Sequence, residues 1–206
     1  MIVLYSGTPG SGKSLHAAKE IRSRLHQKQR KIIIGNFYFN TAAVNICRGV
    51  YLYVPNDRLT PARLLKFARH YAQHIGRRLR EGELQLFIDE AQLLFNSREW
   101  ELVRASGWLS FFSQHRHYGY DVMLMAQFDR MLDRQVRSLI EYDVIHRKVM
   151  RAGKIGFLVG LLTGGNLYVA VECWYPIREK MGSAFFFGGR RLFALYDSYN
   201  HFEVPK

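Results

Sequence analysis

Gly7, Gly12, Lys13 and Ser14 fall in the spacing G-x-x-x-x-G-K-S within LYSGTPGSGKS, residues 4–14. Glycines at these places let successive backbone N–H groups turn inward around an anion at the start of a helix. The lysine adds a point charge for β- and γ-phosphates, and the hydroxyl a ligand for Mg²⁺. This is the chemistry of holding a nucleoside triphosphate, with ATP and Mg²⁺ as the expected cofactors. Thr8, Pro9, Gly10 and Ser11 complete the loop, Pro9 stiffening the turn, and Leu15 opens the helix behind it.

A second constellation is LQLFIDEAQ, residues 84–92, in which an apolar run ends in two adjacent acids. Asp89 is placed to hold Mg²⁺ with Ser14, and Glu90, one residue on, to orient and deprotonate an attacking water. That pairing suits hydrolysis better than transfer to a bound acceptor. Gln127 ends the apolar run DVMLMAQ and would sense the γ-phosphate if that strand neighbours the one ending in Asp89. Arg116 directly precedes the same run. His115 and His117, two residues apart, cannot share a helix face, so surface or DNA-contacting histidines are expected in place of a metal pair.

These residues need a scaffold, and the periodicity supplies one. Ile2-Val3-Leu4-Tyr5 reads as a buried strand, SLHAAKEIRSRLHQKQ as a helix with Leu15, Ala18, Ile21, Arg22 and Leu25 at helical spacing, and KIIIGNF as a second strand. Thr60-Pro61 predicts a cap and first turn for a helix with Leu64, Ala68, Tyr71, Ile75 and Leu79 along one side and Arg63, Lys66, Arg69, Arg77, Arg78 and Arg80 on or beyond the other. Ser97 is expected to cap one long helix carrying Trp100, Val103, Trp108 and Phe111. A further helix over DRMLDRQVRSLIEYD would align Arg130, Arg134 and Arg137, for phosphate contact or plain solvation. Residues 155–171 are apolar enough to raise a membrane span, but Gly164-Gly165-Asn166 argues for a β-hairpin.

The 206 residues, 48% of them apolar, suit one α/β domain: a nucleotide-binding core over 1–150 and a β-rich extension of the same domain over 151–206. Thirty Lys and Arg against seventeen Asp and Glu leave a charge of +13, which suggests a polyanion or an anionic membrane surface as partner, or serves solubility. Cys47 and Cys173 show no metal-like spacing and are expected as free thiols. Met1 leads straight into the first strand, so no signal peptide is expected.

Together GTPGSGKS, FIDEAQ, HRHYGYDVMLMAQ and the closing LYDSYNHF resemble the N-terminal domain of the zonular occludens toxin (Zot) family, which includes filamentous-phage assembly and export ATPases. The resemblance implies a three-layer RecA-like P-loop NTPase with a mostly parallel central sheet. It also implies a homo-oligomeric ring, phage assembly proteins and single-stranded DNA as partners, and a place on the cytoplasmic face of the bacterial inner membrane through a segment absent from this chain. In related DNA-pumping motors an arginine shortly before the Gln-ended strand acts as a finger on the neighbouring subunit's nucleotide, and Arg116 resembles it. A small-molecule or nucleoside kinase and a nucleotide-dependent scaffold with little turnover stand as alternatives.

Overall fold

The structure, a computed structural model, describes residues 1–45 and 47–196. Of the LYDSYNHF motif, residues 197–202 lie outside the described residues. Strand β1, Ile2–Ser6, is buried at all five positions, as an apolar run in a sheet covered on both faces should be. The loop leads into α1, Lys13–His26, which turns Leu15, Ala18, Ile21 and Leu25 onto the sheet. Then follow β2, Ile32–Gly35, and β3, Val50–Tyr53. Helix α2, Pro61–His74, starts as its cap demands, the Thr60 hydroxyl accepting from the Arg63 N–H at 3.4 Å.

Next come β4, Leu84–Ile88, two short helices, α3, Trp100–Ala105, and α4, Trp108–Gln114, and then β5, Tyr120–Met125. A single turn, α5, Arg134–Arg137, precedes β6, Tyr142–Lys148. The chain ends its described part with α6, Gly153–Leu162, β7, Leu167–Trp174, β8, Glu179–Phe187, and α7, Arg190–Phe193.

The strand order is β3-β2-β4-β5-β1-β6-β7-β8. The first six run parallel, and β7 and β8 extend the sheet in antiparallel pairs. One core lies between the sheet and the helices α2 to α5, through Leu64, Val103, Trp108, Phe111, Phe112 and Val136. The other lies between the sheet and α1 and α7, through Leu15, Ile21, Leu25 and Leu192. The result is the expected three-layer α/β architecture. All carboxyl ends of the parallel strands point to one edge, where such sheets bind ligands.

Several expectations fail locally, among them Ile75 and Leu79, which lie beyond the end of α2 at His74. The hairpin expected over 155–171 is half replaced: α6 covers its first half, and only the second half, β7, is strand. The reason is close packing: a Cβ on Gly156 would sit 2.4 Å from the Val149 carbonyl oxygen and one on Gly160 2.6 Å from Met150 Cβ, so bare glycine backbone seats the helix. The long helix after Ser97 is broken by Gly107 at φ 79, which separates α3 from α4. Arg130 lies on a separate 3-10 turn, Asp129–Met131, and shares no helix with Arg134 and Arg137. His115 is buried, with Nδ1 at 2.6 Å from the Phe112 carbonyl and Nε2 at 2.9 Å from the Met1 amine, whereas His117 is exposed. Both cysteines are free, Cys47 exposed and Cys173 buried. Among the described residues no helix is long and apolar enough to cross a membrane.

Candidate nucleotide-binding site

The loop between β1 and α1 is built as phosphate recognition requires. Gly7 (φ 139) and Gly12 (φ 99) take backbone conformations that a side chain resists, and each is also pressed from outside. A Cβ on Gly7 would meet the His146 carbonyl oxygen at 2.5 Å, and one on Gly12 the Tyr168 ring at 2.7 Å. The Gly7 N–H donates to the Gln127 carbonyl at 3.1 Å, tying the loop to the end of β5. Strands β4 and β5 are neighbours, so Gln127 emerges beside the loop as expected.

Lys13 is buried, and its ammonium donates to the loop's own carbonyls, Gly7 at 2.6 Å and Thr8 at 3.5 Å. Burial lowers its pKa, against the opposing pull of Asp89 and Glu90. Behind the loop, His16 Nδ1 lies 2.8 Å from His146 Nε2, stacked among Tyr5 and Phe186. Burial, then the neighbouring His16, pushes His146 down to about 3, so this pair adds no cation at neutral pH. The Ser11 hydroxyl is buried in the loop with no hydrogen-bond partner among the described residues. Arg151 reaches over from the segment after β6 and donates to the Pro9 carbonyl at 3.2 Å. A cavity of about 510 Å³ opens beside the loop, bordered by Thr8, Gln127, His146, Lys148 and Arg151.

Asp89 is buried at the end of β4 and fixed by Asn36, whose amide donates to the Asp89 carbonyl at 2.8 Å and accepts from the Asp89 N–H at 2.6 Å. Its carboxylate accepts from the Ser14 hydroxyl at 3.3 Å, the Tyr196 hydroxyl at 2.9 Å and the Glu90 N–H at 2.9 Å. Ser14 and Asp89 converge as two hard oxygen donors beside the loop, which fits Mg²⁺ bound through few protein ligands and the phosphates of a nucleotide. Among the described residues no cluster of three His, Cys, Asp or Glu offers a self-sufficient metal site. Glu90 sits in the left-handed region at φ 47, and its carboxylate accepts from the Gln92 amide. A non-glycine residue there costs energy, and such strain clusters at functional sites.

Thus Gly7 to Leu15, Asp89, Glu90 and Gln127 lie at one edge of the sheet. Arg116 does not. It lies before β5, about 20 Å along the strand direction from that edge. It also has a local partner, donating to Glu141 at 2.6 Å. Two residues escaped the sequence reading. Asn36 had a usable signal, a polar residue directly after the run IIIG. Tyr196 stands in the LYDSYNHF motif, but its contact with Asp89 had no local signal, the two being 107 positions apart.

The family model for zonular occludens toxin (Zot) matches residues 1–157. The gene 1 protein of Escherichia phage If1 is 27% identical over 127 residues, covering 57% of this chain and 36% of that protein. The chain therefore spans about a third of the length of this curated relative. Among solved structures, the N-terminal domain of zonular occludens toxin from Neisseria meningitidis is similar with a TM-score of 0.58 at 16% identity, over 95% of this chain and 98% of that one. The genome packaging NTPase B204 of Sulfolobus turreted icosahedral virus 2, in complex with AMPPCP, gives 0.51 at 14%, over 89% and 95%. EssC (ATPases 2 and 3) from Geobacillus thermodenitrificans gives 0.52 at 13%, over 100% and 45%. At these identities the likeness shows the fold, that of the P-loop NTPases.

Proposed function

Because the chain belongs to the zonular occludens toxin (Zot) family and is a P-loop ATPase, we propose that it is the ATP-hydrolysing motor domain of filamentous-phage assembly, driving export of single-stranded DNA across the bacterial inner membrane. The observation that carries the reading is the convergence of Ser14 and Asp89 beside the glycine loop, with Glu90 held in a strained turn one residue on. Residues 7–15 bind the phosphates through backbone N–H groups and Lys13. Ser14 and Asp89 hold Mg²⁺, which when bound supplies positive charge to the phosphate oxygens. Glu90 takes a proton from the attacking water, and Gln127 reports the γ-phosphate to β5.

In this reading residues 1–206 form one domain that works as a homo-oligomeric ring on the cytoplasmic face of the membrane. In that ring Arg116 would serve a neighbour's nucleotide only after leaving Glu141. Support for a phage-assembly role comes from the gene 1 protein relative, and support for a DNA partner from the +13 charge. The test is phosphate release from ATP and Mg²⁺ with no acceptor present, with and without single-stranded DNA. Release stimulated by DNA supports the motor. A requirement for an acceptor would favour a kinase, and binding without turnover a scaffold.

A further inference from the structure

Helix α6 exposes five large apolar side chains, Ile155, Phe157, Leu158, Leu161 and Leu162, the first and last of them by 82% and 81%. They form no stripe backed by a polar face. The side turned to the protein is bare glycine, Gly156 and Gly160, and Lys154 is the helix's one charged residue. A helix apolar all round belongs in a core or in lipid, and a contiguous exposed apolar patch marks a docking site. Phe187, exposed and paired with Leu167, lies by the turn that closes α6, where the Gly188 N–H donates to the Asn166 carbonyl at 2.8 Å.

The charge around this patch has one sign. Arg147, Lys148, Arg151 and Lys154 precede or enter the helix, and Arg190 and Arg191 follow β8. No acid occurs between Asp143 and Glu172, or between Glu179 and Tyr196. We propose that α6 is a membrane-surface insertion, its apolar sides dipping into the acyl boundary of an anionic bilayer while Lys154, Arg190 and Arg191, which are exposed and lie outside the nucleotide cavity, meet the phosphate headgroups. A second copy would bring the same net charge of +13 against the collar. A nucleic acid would satisfy the cations and leave the apolar helix in water. An anionic bilayer meets both demands. Ten residues span about 15 Å, half a hydrocarbon core, so α6 lies in the interface and does not cross it.

The proposal does not rest on nucleotide hydrolysis. Its test floats the whole chain with vesicles of phosphatidylglycerol and phosphatidylcholine, with pure phosphatidylcholine, and with neither. The wild-type chain should float with the anionic vesicles and bind neutral ones far more weakly. Leu158→Glu with Leu162→Glu, at positions already in water, should keep the thermal unfolding midpoint and lose at least about tenfold in vesicle affinity. A polarity-sensitive fluorophore on Leu162→Cys, in a Cys47→Ser background, should shift to the blue on anionic vesicles. Lys13→Ala should float like the wild type, which keeps failure here separate from failure of the ATPase reading. Absence of flotation, flotation unchanged by the two glutamates, or adsorption without a fluorophore shift would overturn the proposal. A lipid-free oligomer that the two glutamates dissociate would assign the face to a second copy instead.

Discussion

The same parallel strands carry charged residues at both ends, and the charges of the nucleotide site are held differently from those at the amino ends, although Arg178 pairs with Asp129 just beyond β5. At the amino ends the charges pair off: the Met1 amine with Asp121 at 2.9 Å, Arg116 with Glu141 at 2.6 Å, Arg77 with Glu83 at 2.6 Å. At the carboxyl ends Lys13, Asp89 and Glu90 stand close but, among the described residues, form no ion pair with one another. Lys13 is satisfied by carbonyls, Asp89 by Ser14, Tyr196 and a backbone N–H, and Glu90 by Gln92. Charges neutralised by each other hold strands in place. Charges kept apart and satisfied by neutral partners can exchange those partners for a ligand of either sign, such as a phosphate and its metal.

The comparison breaks most easily at Lys13. Lys13→Ala should abolish ATP binding, lowering affinity by at least about 10²-fold in a calorimetric titration, since the loop loses its side-chain cation. Unchanged affinity would mean that the carboxyl edge is not the nucleotide site. A smaller effect is expected from Tyr196→Phe, which frees Asp89 from a hydrogen bond worth about 1 kcal/mol and should lower the Mg²⁺ concentration needed for nucleotide binding several-fold. Mn²⁺ binding followed by electron paramagnetic resonance with ADP would read this without any turnover.

In the single subunit the amino edge should show stability effects alone. Hydrogen bonds from Arg77 hold the Glu83 carboxyl below its usual range, outweighing the opposing cost of burial. A depressed folded pKa contributes stability that is present above the unfolded value, near 4.3, and lost as pH falls through the folded one. Glu83→Gln should therefore remove part of the acid destabilisation below about pH 4 in urea titrations, with ATP affinity at pH 7 unchanged. The smallest effect belongs to the half-exposed Arg116–Glu141 pair. Arg116→Ala should cost at most about 1 kcal/mol in unfolding free energy and leave ATP binding by the single subunit intact.

Much of the carboxyl edge was legible because local rules govern it. The spacing from Gly7 to Ser14 is a backbone requirement, and an apolar strand ending in Asp89-Glu90 carries its chemistry in adjacent positions. The α/β order followed from periodicity in the same way. What escaped depends on contacts distant in sequence. Residues 155–162 read as the first strand of a hairpin because their composition suits either state, and only the seat on Val149 and Met150 decides for helix. Gly107 divided a helix whose apolar spacing runs through it unbroken. Tyr196 reaches Asp89 only once the segment after β8 packs on Phe37, with ring centroids 5.4 Å apart. The pairing of Arg116 with Glu141 joins residues 25 positions apart and left no local signal.

The central claim is that the carboxyl edge hydrolyses ATP with Glu90 as the base, and a single-turnover experiment on Glu90→Gln tests it most directly. Enzyme in excess is mixed with ATP and Mg²⁺, quenched at intervals, and assayed for bound ATP and ADP. The wild-type chain should convert its bound ATP to ADP, while the variant should bind ATP equally well and convert it about 10² times more slowly or less. Equal conversion by both, at equal binding, would contradict the account.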